Sequence, residues 1–284
     1  MIVLRELAPA KINLYLHITG KRSDGYHLLD SLVAFADVHD KVEVTPCNTV
    51  TLAVEGDYAS KVPPADNTVL KAALALQKQY KVAAGAALVL HKNIPVGAGM
   101  GGGSADAAAT LRLLSRFWRI QPTPKDLHTI ALSIGADVPA CLRSGSLYMS
   151  SIGEVIEPGP VLSGLTLLLI NQGKALLTSK VFAEYKGSFS SAPRKPHMFS
   201  SPSECIDFLQ KTKNDLQAPA SKLVPEIKDT LNALGTEKEC LLSRMTGSGA
   251  TCFGIFTDSQ IAEKVAEKLN KAHPAWWIKT AAIR

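Results

Sequence analysis

A glycine-rich run in the middle of the chain limits what this sequence can fold into more than any other stretch. It reads PVGAGMGGGSADAA over residues 95–108 and passes directly into an Ala- and Leu-rich segment that favours a helix. The apolar residues 86–91 before it predict a buried strand. Glycines let backbone N–H groups approach an anion closely, and a helix N-terminus adds unpaired N–H groups. Strand, glycine loop and helix together predict a cradle for a phosphate group.

Other interpretations of this loop are less consistent with the sequence. A Walker loop has a Lys after its glycines, and none follows here. Gly97, Gly99 and Gly102 fit dinucleotide-binding spacing, but they lie in mid-chain and lack the acidic residue expected about 20 positions on. A flexible hinge remains an alternative. Ser104 at the start of the helix disfavours it, because hinges rarely lead straight into a capped helix.

Length and composition indicate an ordinary globular protein. The chain has 284 residues, of which 46% are apolar and 20% charged, which suits two domains or one large one. The PGP segment at residues 158–160 is a natural boundary. We expect an N-terminal domain over residues 1–157 that carries the glycine loop, and a C-terminal domain over residues 158–284.

Several features bear on location and on partners. No apolar run reaches membrane-spanning length, the first residues lack the pattern of a signal peptide, and the five cysteines are scattered. These features favour a cytoplasmic protein with reduced thiols. The formal net charge is +6, but Lys and Arg are spread along the chain, which suits phosphorylated substrates better than nucleic acid.

Periodicity and turn residues predict the secondary structure. In the first half we expect strands over residues 11–18, 28–36, 40–46, 50–55 and 86–91, helices over 68–80, 104–117 and about 122–135, a turn at 22–27, a loop at 63–67 and a hairpin at 145–157. In the second half we expect strands over residues 165–170, 252–256 and 276–282, helices over 203–210, 224–234 and 260–272, and a mobile loop over 186–202.

Three further features could carry chemistry. Lys11 and Asn13 share one face of the first strand and point either to water or into a site. Asp137 precedes Pro139 at a helix start, where it could be a helix cap or a general base that accepts a proton from a hydroxyl. A second glycine loop, TGSGAT at residues 246–251, could close a site or simply join two strands.

Taken together, these motifs resemble the GHMP kinase superfamily of small-molecule kinases. The resemblance rests on PAKIN at residues 9–13, on the glycine run, on GADVP at 135–139 and on TGSGA at 246–250. It implies an α+β fold of two domains. The N-terminal domain would resemble a ribosomal-protein domain, and the C-terminal domain a ferredoxin-like α/β sandwich.

The resemblance also implies roles for individual residues. Lys11 and Asp137 match the catalytic pair, with Asp137 taking the proton of the attacking hydroxyl and Lys11 favouring the alkoxide. Asn67 and Lys92 correspond to residues near the adenine of ATP. Ser104 is the candidate ligand of Mg²⁺. The loop residues that match the ATP phosphate clamp are Pro95, Val96, Gly97, Ala98, Gly99, Met100, Gly101, Gly102, Gly103, Ser104 and Ala105.

The turn RSDGYH at residues 22–27 points to one branch of the superfamily. In that branch the substrate is a small alcohol with a cytidine diphosphate moiety, phosphorylated by ATP during isoprenoid precursor synthesis. Tyr26, His27 and Phe182 match the cytidine pocket, and Asn13 and Thr178 match other substrate contacts. Two departures, Met100 in place of Leu and Ala105 in place of Ser, preserve size and backbone freedom.

Rival functions remain at this point. One is a different kinase of the superfamily, although a substrate without a base would not need the aromatic turn. An RNA-binding module is prompted by the basic charge, and a silent nucleotide sensor is disfavoured because Lys11 and Asp137 are both present. The expected partner is a small molecule, without nucleic acid or membrane, and the expected state is a monomer or weak homodimer.

Overall fold

The computed structural model describes residues 3–63, 66–143 and 145–284. The predicted loop at 63–67 falls partly on residues 64 and 65, which lie outside the described residues. The chain divides into two compact units: unit 1 comprises Met1–Ala10, His39–Val96 and Gly101–Arg143, and unit 2 comprises Lys11–Val38, Gly97–Met100 and Ser144–Arg284. Neither unit is a continuous stretch, so the proposed boundary at residue 157 stays a prediction.

Two long strands, β1 (Leu4–Lys21) and β2 (His27–Thr45), contribute residues to both units. Sequence reasoning placed two strands at residues 28–36 and 40–46, which was wrong because the backbone stays extended between them. Within unit 1, β4 (Ala86–His91) pairs antiparallel with the end of β2 and parallel with β3 (Val50–Glu55). The predicted bounds of β3 and β4 are confirmed.

Four helices complete unit 1. They are α1 (Thr68–Gln79), α2 (Gly102–Phe117), α3 (Pro124–Ile134) and α4 (Val138–Arg143). Asn67 caps α1, because its side chain accepts a hydrogen bond from the Val69 N–H at 2.8 Å. Helix α2 begins two residues before the predicted start. Its buried face is lined by alanines, which lets neighbouring helices approach closely.

Unit 2 contains two sets of strands. The first half of β2 pairs with β5 (Leu147–Ser151), and β5 pairs with β6 (Val155–Pro158), which confirms the predicted hairpin. A separate antiparallel sheet has the order β10-β7-β9-β8. Its strands are β7 (Thr166–Asn171), β8 (Leu242–Met245), β9 (Cys252–Phe256) and β10 (Trp277–Ala282).

The helices of unit 2 are α5 (Thr178–Glu184), α6 (Pro202–Gln210), α7 (Gln217–Leu223), α8 (Glu226–Gly235) and α9 (Ser259–Ala272). Helices α8 and α9 pack on the second sheet, whose strand order is that of a ferredoxin-like sandwich. Helix α7 was not predicted, since it has only seven residues and contains Pro219. The α+β class is confirmed.

The segment of residues 186–201, all of them described, forms neither helix nor strand. Hydrogen bonds nevertheless hold it to the rest of unit 2. The Ser190 N–H donates to the Ile18 carbonyl at 2.8 Å, and the Tyr148 hydroxyl donates to the Pro196 carbonyl at 2.8 Å. Lys195 pairs with Glu157 at 2.8 Å. The irregular backbone was predicted, but these contacts were not.

Among the residues that the structure describes, every helix is too short or too polar to cross a membrane.

Candidate active site

The polar face of β1 is buried, which excludes the solvated-face interpretation of Lys11 and Asn13. Lys11 is 4% exposed and Asn13 is 3% exposed. The Lys11 N–H donates to the Met100 carbonyl of the glycine loop at 2.9 Å. Because side chains two apart on a strand point the same way, Lys11 and Asn13 share one side of β1 beside that loop.

Two donor groups of Asn13 have hydrogen-bond partners away from β1. Its backbone N–H donates to Thr246 Oγ1 at 2.9 Å, and its side-chain Nδ2 donates to Ser31 Oγ at 2.8 Å. Its Oδ1 is buried and has no hydrogen-bond partner among the described residues. A buried acceptor without a donor is unfavourable, which is typical of a position that binds a ligand.

The two glycine loops meet within unit 2. Gly97 and Gly99 have φ angles of 67° and 75°, which favour glycine. The Thr251 N–H donates to the Ala98 carbonyl at 3.2 Å. A Cβ on Gly99 would lie 2.7 Å from the backbone of Gly249, so this close approach requires glycine. The loop at residues 246–251 therefore supports the first loop as well as joining two strands.

In unit 1 the glycine run forms the beginning of α2. Gly101 is the cap residue, with a left-handed φ of 61°, and it has no side chain that could bond the first N–H groups. Ser104 follows in the first turn and is half-buried. The Gly103 carbonyl accepts a hydrogen bond from Thr68 Oγ1 at 2.8 Å, which ties the start of α1 to this turn. The helix end thus offers uncapped N–H groups to an anion.

Three buried charged residues lie beneath this turn. The Lys92 ammonium donates to Asp106 Oδ2 at 2.7 Å and also to Asp40. Asp40 Oδ1 accepts the N–H groups of Asn93 at 2.6 Å and Ile94 at 2.8 Å. The pKa of Asp106 is raised to about 7, because burial and the neighbouring Asp40 charge raise it by more than Lys92 lowers it. Burial lowers the pKa of Lys92, but the two carboxylates outweigh burial and raise it overall.

The two ion pairs limit the contacts that the Lys92 ammonium could make with a nucleotide. Its ammonium is engaged by two carboxylates, and a Cβ on Gly102 would lie 3.0 Å from it. Lys92 therefore supports the turn of α2 from below. The expectation that it lies near adenine stays a prediction.

Asp137 is fixed by the short helix α4, which begins at the next residue. The Cys141 N–H donates to the Asp137 carbonyl at 3.2 Å. At the other end of α4, Arg112 of helix α2 donates to the Cys141 carbonyl at 2.9 Å and to the Leu142 carbonyl at 3.4 Å. The same α2 helix thus carries the glycine turn at its start and, at Arg112, holds the helix that positions Asp137.

Two of the three residues expected to bind cytidine, His27 and Phe182, lie in an aromatic group in unit 2. The rings of His27 and Phe182 stack with centroids 5.3 Å apart, and Tyr185 meets His27 edge-on at 5.8 Å. Burial lowers the pKa of His27, and the charge of Lys21 lowers it further, which favours a neutral imidazole. Tyr26 is 61% exposed, so its ring is available to a ligand.

Thr178 begins helix α5 and contacts the second glycine loop. Its Oγ1 lies 2.9 Å from Ser248 Oγ, within hydrogen-bond distance. Five residues of these clusters were missed by sequence reasoning: Ser31, Asp40, Asp106, Arg112 and Tyr185. Asp106 did leave a signal, since it is a lone charged residue in a run of alanines.

An uncapped helix preceded by a glycine loop, in an α+β chain with a ferredoxin-like sheet, is the arrangement expected of a small-molecule kinase of the GHMP class. Family models agree with this class. The model described as "GHMP kinases N terminal domain" matches residues 67–145, and "GHMP kinases C terminal" matches residues 199–275.

Curated relatives place the chain more closely. A 4-diphosphocytidyl-2-C-methyl-D-erythritol kinase of Paramagnetospirillum magneticum is 46% identical over 276 residues, which are 97% of each chain. The enzyme of that name from Cereibacter sphaeroides is 46% identical over 280 residues, 97% of this chain and 98% of its own. This chain belongs to the 4-diphosphocytidyl-2-C-methyl-D-erythritol kinase family.

Solved structures are consistent with that family. A crystal structure of 4-(cytidine 5'-diphospho)-2C-methyl-D-erythritol kinase has 28% identity and a TM-score of 0.80, and covers 98% of this chain and 99% of its own. A homoserine kinase from Cytophaga hutchinsonii has a TM-score of 0.75 at 18% identity and covers 99% of this chain and 95% of its own, which shows the shared fold.

Proposed function

We propose that this kinase transfers the γ-phosphoryl group of ATP to the 2-hydroxyl of 4-diphosphocytidyl-2-C-methyl-D-erythritol, in the non-mevalonate route to isoprenoid precursors. The relatives of that name, which align along nearly the whole chain, support this assignment. The structural observation that carries it is the stacked pair His27 and Phe182, with the exposed Tyr26 next to His27 in sequence. A pyrimidine base is a flat ring that stacks on such side chains.

ATP would bind through residues 95–105, with Asn67 and Lys92 nearby. The β- and γ-phosphates would accept hydrogen bonds from the uncapped N–H groups at the start of α2, where the helix dipole favours negative charge. The positive φ angles of Gly97, Gly99 and Gly101 turn the backbone around this point. Asn67 caps α1, and the next residue, Thr68, donates a hydrogen bond to the Gly103 carbonyl of the glycine turn. Asn67 therefore lies next to that turn.

Mg²⁺ would be held mainly by phosphate oxygens and water. Within the described ranges no cluster of three or more His, Cys, Asp or Glu side chains could hold a metal. We expect substrate phosphates and a few protein oxygens, of which Ser104 is the candidate, to hold the ion, because Mg²⁺ usually keeps water and phosphate oxygens as ligands. When bound, the ion neutralises charge on the phosphates as the phosphoryl group is transferred.

Asp137 would serve as the general base and Lys11 as the stabilising cation. The Asp137 carboxylate accepts the proton of the substrate 2-hydroxyl. The hydroxyl oxygen then forms a bond to the γ-phosphorus, and the bond from the γ-phosphorus to the bridging β-phosphate oxygen breaks, which leaves ADP. Lys11, held beside the glycine loop through the Met100 carbonyl, supplies positive charge to the developing alkoxide. Asn13 and Thr178 would contact the alcohol substrate.

Product analysis tests the proposed reaction. The protein is incubated with Mg²⁺-ATP and, separately, the cytidine-bearing alcohol, methylerythritol phosphate, mevalonate, homoserine and galactose, and products are identified by mass. We expect one added phosphate on the cytidine-bearing alcohol and far slower turnover of the others. Faster phosphorylation of mevalonate, homoserine or galactose would contradict the substrate assignment.

The double variant Tyr26→Ala/Phe182→Ala tests the cytidine pocket. Stacking on an aromatic side chain is worth about 1–3 kcal/mol per base, so each ring removed should weaken the substrate by roughly one to two decades. Calorimetry should show this loss for the intact substrate and unchanged affinity for a non-hydrolysable ATP analogue. An equal loss for methylerythritol phosphate would contradict a cytidine-specific role.

The remaining expectations belong to the same proposal. The enzyme would be cytoplasmic and would act as a monomer or weak homodimer, without nucleic acid or membrane as partner. Sedimentation velocity over a range of protein concentrations checks the oligomeric state, since a weak dimer would shift towards monomer on dilution.

A further inference from the structure

One buried serine determines which way the Asn13 amide faces. Ser31 is fully buried on β2, and its Oγ lies 2.5 Å from the Tyr15 carbonyl oxygen. A carbonyl can only accept, so the single hydroxyl proton of Ser31 is donated to Tyr15. Ser31 Oγ can then only accept from its other neighbour.

That neighbour is the side chain of Asn13, 2.8 Å away. Since Ser31 can only accept there, the group that faces it must be the NH₂ of the amide and not its carbonyl. The Asn13 backbone is held independently, because its N–H donates to Thr246 Oγ1 at 2.9 Å. The amide is therefore locked in one of its two orientations, with Oδ1 on the side away from Ser31.

The locked orientation leaves an acceptor that the protein itself does not use. Asn13 Oδ1 is buried and lacks a hydrogen-bond partner among the described residues. Phosphate oxygens cannot satisfy it, because they are acceptors too. An alcohol hydroxyl can, since it is a donor. Asn13 also shares a face of β1 with Lys11, two residues away, where the proposed reaction takes place.

We propose that Ser31 is a positioning residue that orients Asn13 so that Oδ1 accepts a hydrogen bond from a hydroxyl of the alcohol moiety of the substrate. The inference rests on the proposed function and adds a specificity determinant to it. Ser31 acts through Asn13 and does not touch the substrate. Without Ser31 the amide is free to turn over, and its NH₂ would then face a group that is also a donor.

Binding measurements with substrate analogues test this role. The hydroxyls of the alcohol moiety are replaced by hydrogen one at a time, and affinities are measured by calorimetry, which needs no turnover. In the wild type, one analogue should bind about tenfold more weakly than the substrate, because this loss of affinity corresponds to one lost hydrogen bond. In Ser31→Ala that difference should shrink to less than about twofold, while the affinity for an ATP analogue stays within about twofold.

Three further variants separate positioning from general damage. Ser31→Thr keeps the hydroxyl and should restore discrimination between substrate and analogue. Ser31→Cys keeps a side chain of similar shape but offers only a weak acceptor, so it should behave like Ser31→Ala even if the alanine variant folds poorly. Ser221→Ala removes a buried serine of unit 2 on helix α7 and should leave discrimination unchanged.

Two results would overturn the inference. Full discrimination in both Ser31→Ala and Ser31→Cys would show that Ser31 does not orient the amide. Equal binding of every analogue to the wild type would show that Asn13 reads no hydroxyl. Both results presuppose a wild type that binds and phosphorylates the cytidine-bearing alcohol; if it does not, the proposed function itself is wrong, and the inference falls with it.

Discussion

At the scale of single residues, the three glycines at the start of α2 have different structural reasons to be glycine. Gly101 has a left-handed φ of 61°, which strains any other residue. A Cβ on Gly102 would lie 3.0 Å from the Lys92 ammonium, whereas a Cβ on Gly103 would meet nothing nearer than Thr68 Oγ1 at 3.5 Å. Gly103 is also exposed, so the fold alone does not require glycine there.

Replacing Gly103 therefore tests the phosphate cradle with little effect on the fold. We expect Gly103→Val to unfold near the wild-type temperature but to raise the KM for ATP at least about tenfold, because its side chain blocks the approach of a phosphate. Gly235→Val is the matched control, since Gly235 is an exposed glycine of α8, outside the loop, where an added Cβ would meet only Ser243 Oγ at 3.8 Å. An unchanged ATP affinity in folded Gly103→Val would favour the hinge interpretation.

Asp137 could act as a helix cap or as a general base, and the two roles predict different effects of replacing it by Asn. Asn can still cap a helix but cannot accept the proton of a hydroxyl. Asp137→Asn should lower kcat by about 10²- to 10⁴-fold and leave the binding of both substrates within a few fold. Rapid-quench kinetics measures the transfer step, and calorimetry measures binding. Turnover at the wild-type rate would leave Asp137 with a capping role only.

At the scale of elements, the buried Lys92 couples strand β4 to helix α2. It stands one residue after β4 and bonds Asp106 on α2 and Asp40 on β2, and all three side chains are almost fully buried. Removing one member of a buried ion pair leaves an uncompensated charge, which costs far more than losing a surface pair. The stability of the glycine turn should therefore depend on this cluster.

Lys92→Met should lower the free energy of unfolding by about 3–5 kcal/mol, because two buried carboxylates lose their cation. Adding Asp106→Asn should recover part of that loss. Lys268→Met is the matched control: Lys268 pairs with Glu237 at 2.8 Å on the surface, and its loss should cost less than about 1 kcal/mol. Denaturant unfolding measures all three, and equal effects of the two lysine variants would contradict the role of the cluster.

Sequence patterns predicted individual elements better than they predicted contacts between elements. Strands β3, β4 and β9 were placed at their observed bounds, because each is a short apolar run bounded by polar or glycine residues. The partner of Asn13 could not be predicted, since Ser31 is 18 residues away and becomes its neighbour only through strand pairing. The same holds for Lys92 and Asp40, which are 52 residues apart.

At the scale of the whole molecule, the net charge of +6 raised the alternative of RNA binding. The ion pairs argue against a continuous basic surface. Many cations are paired with carboxylates along the chain, among them Arg5 with Glu43, Arg112 with Glu6 and Lys222 with Glu184. Since paired cations attract phosphates less than clustered free ones, the charge excess suits small anionic substrates.

The protein should therefore bind RNA only weakly and without effect on its activity. Fluorescence anisotropy with a labelled single-stranded RNA at about 150 mM salt should show no saturable binding below about 10⁻⁴ to 10⁻⁶ M, the range of purely electrostatic association. The same RNA in excess should leave phosphorylation of the cytidine-bearing alcohol unchanged.

A cytidine homopolymer serves as the stringent probe, because its bases could enter an aromatic cytidine pocket, whereas an adenosine homopolymer could not. Tight binding of both polymers, with affinity that falls steeply as salt rises, would instead support an RNA-binding function. Inhibition by the cytidine polymer alone would indicate competition for the cytidine pocket.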